Sequence, residues 1–135
     1  FSSVASAPSR RTKNDPSPCR SFQSGTPVML ILECPYCGVK AEGTELSPGY
    51  EAHLKRFGPG ASPEEFEAYM FARKNPKGVH FERWRHSYGC GKWFLAARDT
   101  ATLEVFGTYP AQTKEPPAEL QAKIRAKRPN WEGYK

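Results

Sequence analysis

Cys34, Cys37, His86 and Cys90 fall into two short pairs, C-x2-C and H-x3-C, separated by 48 residues. Thiolates and imidazole are the side chains zinc prefers, and pairs at this spacing supply one tetrahedral site from two tight turns. Glycine borders both pairs, in Cys34-Pro35-Tyr36-Cys37-Gly38 and in Gly89-Cys90-Gly91. Small residues let sulfurs and backbone N–H groups face one centre, which is how a zinc ribbon is built. Three thiolates and one imidazole fill all four positions, so the pattern points to structural zinc. A catalytic zinc keeps one position open.

Two other chemistries compete for these residues. Cys34-Pro35-Tyr36-Cys37 after a strand also fits a redox dithiol, whose first thiol is activated by a helix N-terminus directly behind it. Gly38, Val39, Gly43 and Thr44 make a poor helix start, and no later segment offers the strand and cis-proline loop such a fold needs. His80-Phe81-Glu82 matches half of the zinc deaminase signature, in which the cysteine pair follows the H-x-E. Here the pair comes first, so His80 and Glu82 are expected on a polar strand face. His53 is expected at a loop or helix edge, and would be the substitute ligand should His86 point away. Neither a Gly-rich phosphate loop nor a nucleophile elbow nor a carboxylate pair occurs, so the chain is expected to carry no catalytic site of its own.

The elements that must position the four ligands follow from periodicity and punctuation. A strand is expected at Leu30-Ile31-Leu32, then the first knuckle, then a weaker strand over 39–45 and a loop holding Pro48, Gly49, Gly58, Pro59 and Gly60. Ser62-Pro63-Glu64-Glu65 supplies an N-cap, a first-turn proline and a capping-box glutamate, so a helix should run from there to about Arg73. Phe66, Tyr69, Met70 and Arg73 would share its buried face. Val79 to Tyr88 alternates as a strand and delivers His86 at its end; Trp93 to Ala97 returns, and a further strand spans Thr102 to Tyr109. A short helix is expected over Ala118 to Lys127 with Leu120 and Ile124 inward. Trp131 and Tyr134, on a tail too short to fold alone, would pack on the domain or dock on a partner, and the partner contact is the favoured assignment.

A chain of 135 residues suits one domain with a small core, which a metal can staple. The expected class is α+β: a small zinc-ribbon-like antiparallel β domain with two short helices. Residues 1–28 are rich in Ser, Pro and Arg and are expected to be a disordered extension outside the native chain, Met29 being the suspected start. Cys19 in that stretch is a bystander, and residues 29–135 are the expected folded unit. The longest apolar run, Val28 to Leu32, is far short of a membrane span, and no signal-peptide core is visible, so a cytoplasmic location without membrane contact is expected. In that compartment C-x-x-C favours metal over cystine. The net charge of +6 invites a nucleic-acid partner. Acids interleave with bases through the body, however, and the one dense basic cluster, Lys123, Arg125, Lys127 and Arg128, suits a solvated helix face equally well.

Met29 to Gly38, Phe81 to His86, Tyr88-Gly89-Cys90-Gly91-Lys92-Trp93-Phe94 and Phe106-Gly107-Thr108-Tyr109 together closely resemble the delta subunit of bacterial heterotetrameric sarcosine oxidase, in one register from Met29 to Tyr134. The resemblance implies a small non-flavin subunit beside alpha, beta and gamma subunits, in a complex that oxidatively demethylates sarcosine to glycine with oxygen. Hydrogen peroxide and 5,10-methylenetetrahydrofolate are the implied products, and FAD, FMN and NAD belong to the partner subunits. The family's zinc ligands carry over onto Cys34, Cys37, His86 and Cys90. Residues 1–28 have no counterpart. The competing functions are a free-standing basic zinc ribbon that binds nucleic acid and an independent thiol oxidoreductase.

Overall fold

The computed structural model describes residues 29–134. The extension expected over 1–28, with Cys19, lies outside the described residues. Within them the expected class holds: α+β, with antiparallel sheets and two helices. The elements are β1 (Ile31–Glu33), β2 (Lys40–Glu42), β3 (Ser47–Glu51), α1 (Pro63–Phe71), β4 (Val79–Arg85), β5 (Trp93–Asp99), β6 (Val105–Pro110) and α2 (Ala118–Lys127). β1 and β2 form a two-stranded hairpin, and β3-β4-β5-β6 form a four-stranded antiparallel sheet in that order.

Strand alternation divides the core into two layers. Phe81, Leu95, Ala97, Phe106 and Tyr109 face α2, which buries Leu120 and Ile124 against them. Trp84, Phe94 and Ala96 face the other way and meet Leu32, Cys34, Ala41 and Leu46 of the hairpin side. β5 is central and almost continuously buried, as a strand covered on both faces must be. The hairpin is tied down by polar contacts too: Thr108 Oγ1 donates to the Glu33 carbonyl at 2.6 Å, and the Ala111 N–H donates to the Tyr36 hydroxyl at 3.2 Å.

Three expectations need correction. The stretch expected to be loop at Pro48 and Gly49 contains β3, which pairs with β4 through a register shift between Pro48 and Glu51. Proline is tolerated because β3 is an edge strand, and Gly49 admits the Trp93 ring, which any Cβ there would strike. α1 has the expected capping box, with Ser62 Oγ accepting from the Glu65 N–H and the Glu65 carboxylate accepting from the Ser62 N–H. Its expected buried stripe does not exist: no α1 residue is buried, and Phe66 and Met70 are about half exposed.

The tail is the third. It packs on its own domain, with Trp131 and Tyr134 covering Phe81 at ring distances of 6.1 and 5.5 Å and Tyr134 meeting His53 edge-on at 5.4 Å. Trp131→Ala should therefore destabilise the isolated chain by about 1–3 kcal/mol, read from a denaturation midpoint; an unchanged midpoint would return the tail to solvent or to a partner.

The C-terminal basic cluster is largely engaged within the chain. Arg128 binds Asp99 at 3.0 Å and Glu104 at 3.2 Å, Lys127 binds Glu104 at 2.5 Å, and Arg125 lies over the Trp131 ring. Burial alone would raise the Asp99 carboxyl, but the Ala101 N–H, the Arg128 guanidinium and the Thr102 N–H outweigh it and hold it below its ordinary value. Among the described residues no helix is long and apolar enough to cross a membrane.

Candidate metal centre

Each hairpin turns through a knuckle, and the two knuckles share one plan. In the first, the Cys34 N–H donates to the Val39 carbonyl and the Gly38 N–H returns to the Cys34 carbonyl, with Gly38 at φ +68°. In the second, the His86 N–H donates to the Lys92 carbonyl and the Gly91 N–H returns to the His86 carbonyl, with Gly91 at φ +72°. Both glycines sit in the left-handed region, where a Cβ is strained. The second loop is one residue longer, matching H-x3-C against C-x2-C.

β1 delivers Cys34 directly at its end, and β4 delivers His86 directly after Arg85. The four donor atoms lie within 4.8 Å of one another. Cys34 Sγ is 3.6 Å from Cys90 Sγ, and His86 Nδ1 is 3.4 Å from Cys37 Sγ and 3.7 Å from Cys90 Sγ. Around a tetrahedral zinc with bonds of about 2.0–2.3 Å, donor pairs are roughly 3.5–3.8 Å apart; these three separations match that spacing, and three thiols with one imidazole are the donor set that ion takes. A disulfide needs about 2.05 Å between sulfurs, and all three cysteines are free thiols. Cys34 and His86 are buried while Cys37 and Cys90 are exposed, so the cluster straddles the protein surface.

The electrostatics divide the same way. Burial pushes the Cys34 thiol up, although the Cys37 and Tyr36 N–H groups aimed at its sulfur oppose this. The Lys92 N–H, with Cys34 and His86 beside it, brings Cys90 down from 9.0 to about 7. Backbone N–H groups thus already favour thiolate at both knuckles, and a cation at the centre would complete the effect. Metal binding must displace thiol protons. Metal affinity should therefore fall as pH drops from about 9 toward about 6, with Cys34 taking its proton before Cys90 does. A competition titration against a chromophoric chelator reads this, and affinity flat across that range would exclude thiolate ligation.

The remaining candidates lie elsewhere. His53 is no substitute ligand: its Nε2 is 2.6 Å from the Tyr109 hydroxyl, its ring stacks on Tyr109, and burial lowers its pKa. Glu82 holds Arg98 through two contacts of 2.6 and 2.8 Å and accepts from Trp84 Nε1 at 3.0 Å, so the H-x-E serves the strand face. The first knuckle leads into strand β2, where a redox dithiol requires a helix.

Two supporting residues were invisible as chemistry. Gly89 lies flat against the His86 ring, where a Cβ would overlap Cε1 and Nε2. Tyr36 anchors the first knuckle to the end of β6 through Gln112 at 3.0 Å and the Ala111 N–H, and carries Lys92 over its ring at 5.1 Å. The glycine beside each pair was the sequence signal for Gly89; Tyr36 had none.

Comparison with known proteins gives a consistent result. The profile described as "Sarcosine oxidase, delta subunit family" matches residues 31–111, a span that holds all four donors. Sarcosine oxidase subunit delta of Corynebacterium sp. (strain P-1) is 46% identical over 99 residues, covering 72% of this chain and 100% of that protein. The subunit delta of an Arthrobacter sp. is 44% identical over 99 residues with the same coverage of both chains. That of Rhizobium meliloti (strain 1021) is 35% identical over 75 residues, 56% of this chain and 79% of the relative.

Proposed function

Because the chain belongs to the sarcosine oxidase delta subunit family, we propose that it is the zinc-holding, non-catalytic subunit of a heterotetrameric sarcosine oxidase. Its partners in this reading are the alpha, beta and gamma subunits, which carry FAD, FMN and NAD. The assembly demethylates sarcosine oxidatively to glycine with oxygen, giving hydrogen peroxide and 5,10-methylenetetrahydrofolate, in the cytoplasm. The folded unit is residues 29–135, and Cys34, Cys37, His86 and Cys90 hold the zinc.

The observation that carries the metal assignment is the convergence of three sulfurs and one imidazole nitrogen within 4.8 Å, from two hairpins remote in sequence. When bound, zinc supplies a cross-link between those hairpins. Four protein donors leave no position for water or substrate, so the centre suits architecture and not turnover. Cys34 and His86 contribute the buried half of the shell, and Cys37 and Cys90 close it from outside. The free-standing nucleic-acid module is disfavoured because Lys127 and Arg128 are neutralised by Glu104 and Asp99.

Co-expression with the large flavoprotein subunits tests the proposal. The chain should co-purify with them, and the chain alone should hold zinc, carry no flavin and oxidise no sarcosine. Sarcosine oxidation or a flavin spectrum from the isolated chain would overturn it, as would failure to co-purify.

A further inference from the structure

The three cysteines of the cluster are not equally reachable. Cys34 is fully buried among Leu32, Ala41, Trp84 and Phe94, while Cys37 and Cys90 are exposed. A small oxidant arriving from solvent therefore meets Cys37 or Cys90 first. Cys90 stands between Gly89 and Gly91, so neither neighbour in the chain has a side chain to shield its sulfur. Behind it Cys34 Sγ lies 3.6 Å away, in van der Waals contact. Cys37 has the His86 imidazole beside its sulfur at 3.4 Å, and an imidazole closes no disulfide. Thiol oxidation needs an accessible sulfur to be attacked and a second sulfur close enough to resolve it, and Cys90 with Cys34 meets both conditions.

We infer that Cys90 is a modification site for hydrogen peroxide, with Cys34 as the resolving thiol, and that the Cys34–Cys90 disulfide so formed replaces the metal as the link between the two hairpins. The inference rests on the reading above for the source of its oxidant, and on the cluster for its thiols. Cys90 Sγ attacks one peroxide oxygen; the O–O bond breaks, hydroxide leaves and a sulfenic acid remains. Cys34 Sγ then attacks Cys90 Sγ; an S–S bond forms, the S–O bond breaks and a second hydroxide leaves. Each hydroxide takes up a proton, so two thiolates, one peroxide and two protons give one disulfide and two waters. The two sulfurs together give up two electrons, and the peroxide oxygens accept them.

The pairing has a structural consequence. Cys34 follows β1 and Cys90 lies in the turn between β4 and β5, 56 residues further on. A bridge between them joins the same two hairpins that the four donors join. One between Cys34 and Cys37 would stay within the first knuckle and join nothing. The sulfurs must close from 3.6 Å to about 2.05 Å, a movement that rotation of the exposed Cys90 side chain supplies. Burial favours the product as well, because a neutral disulfide suits the apolar surroundings of Cys34 better than a charged thiolate does.

The test adds hydrogen peroxide to the purified full chain and to its Cys19→Ser variant. Zinc released to a chromophoric chelator should rise in step with the loss of thiols, one zinc for each disulfide. Peptide mapping without reductant should find Cys34 joined to Cys90, and a dimedone-type probe for sulfenic acid should label Cys90 before any other cysteine. The oxidised chain should keep its circular dichroism and cooperative unfolding after the metal has gone, unlike reduced chain treated with a chelator. A thiol reductant with added zinc should restore the starting state. Dimedone on Cys37 first, a bridge of any other pairing, thiols that excess peroxide leaves intact, or loss of the fold as the bridge forms overturns the inference. Chain purified without zinc removes the metal reading, and the mapped pairing still decides the peroxide site. The predicted oxidation in a chain that no flavoprotein subunit binds removes the subunit reading alone.

Discussion

Chain carrying Cys37→Ser or Cys90→Ser, and unsubstituted chain treated with a strong chelator, should lose zinc and most of the cooperative fold together. The expected effect is on the order of 10 kcal/mol of apparent binding energy, comparable to the whole net stability of a typical domain. The hairpin explains why so much depends on the metal. β1 and β2 are three residues each, and a two-stranded hairpin is marginal alone. Leu32, Ala41 and Cys34 are fully buried only while that hairpin lies on Trp84 and Phe94. Releasing the cross-link therefore exposes one of the two core layers. Metal analysis alongside circular dichroism and thermal unfolding checks this, and a zinc-free variant with unsubstituted unfolding behaviour would contradict a structural role. Cys19→Ser should keep full zinc content.

Gly89→Ala should be the most damaging substitution outside the four donors. The added methyl would occupy the space of the His86 ring, so the ring must swing away and carry Nδ1 off the cluster. Loss of ligand orientation typically costs 10–100-fold in metal affinity, and losing the ligand itself costs more. Gly58→Ala is the control: a Cβ there meets nothing within 4 Å, and its stability should stay within about 0.5 kcal/mol of the unsubstituted chain. Equal zinc affinity in the Gly89→Ala and Gly58→Ala proteins would mean that His86 is not held by this contact.

Much of the fold was legible because local chemistry and tertiary structure agree. The capping box at Ser62 and Glu65 sets the start of α1, and α2 spans the expected residues, 118 to 127, with Leu120 and Ile124 buried. Alternation from Val79 places His86 just past the end of β4, and the spacing of the two pairs with their glycines marks the four residues that cluster. What escaped depends on the third dimension. β3 reads as loop because Pro48 and Gly49 are strand breakers, and only an edge position with Trp93 against the backbone makes them tolerable. Phe66 and Met70 show helical spacing, but spacing cannot tell whether the chain has anything to lay over them. His53 finds Tyr109 across 56 residues through backbone at φ +59°, which no periodicity encodes.

X-ray absorption at the zinc edge of the purified full chain tests the central claim most directly. The cluster predicts one zinc per chain, with three sulfur neighbours, one imidazole nitrogen and no oxygen. A chain without stoichiometric zinc, or a zinc with an oxygen neighbour in place of sulfur or imidazole, would contradict it.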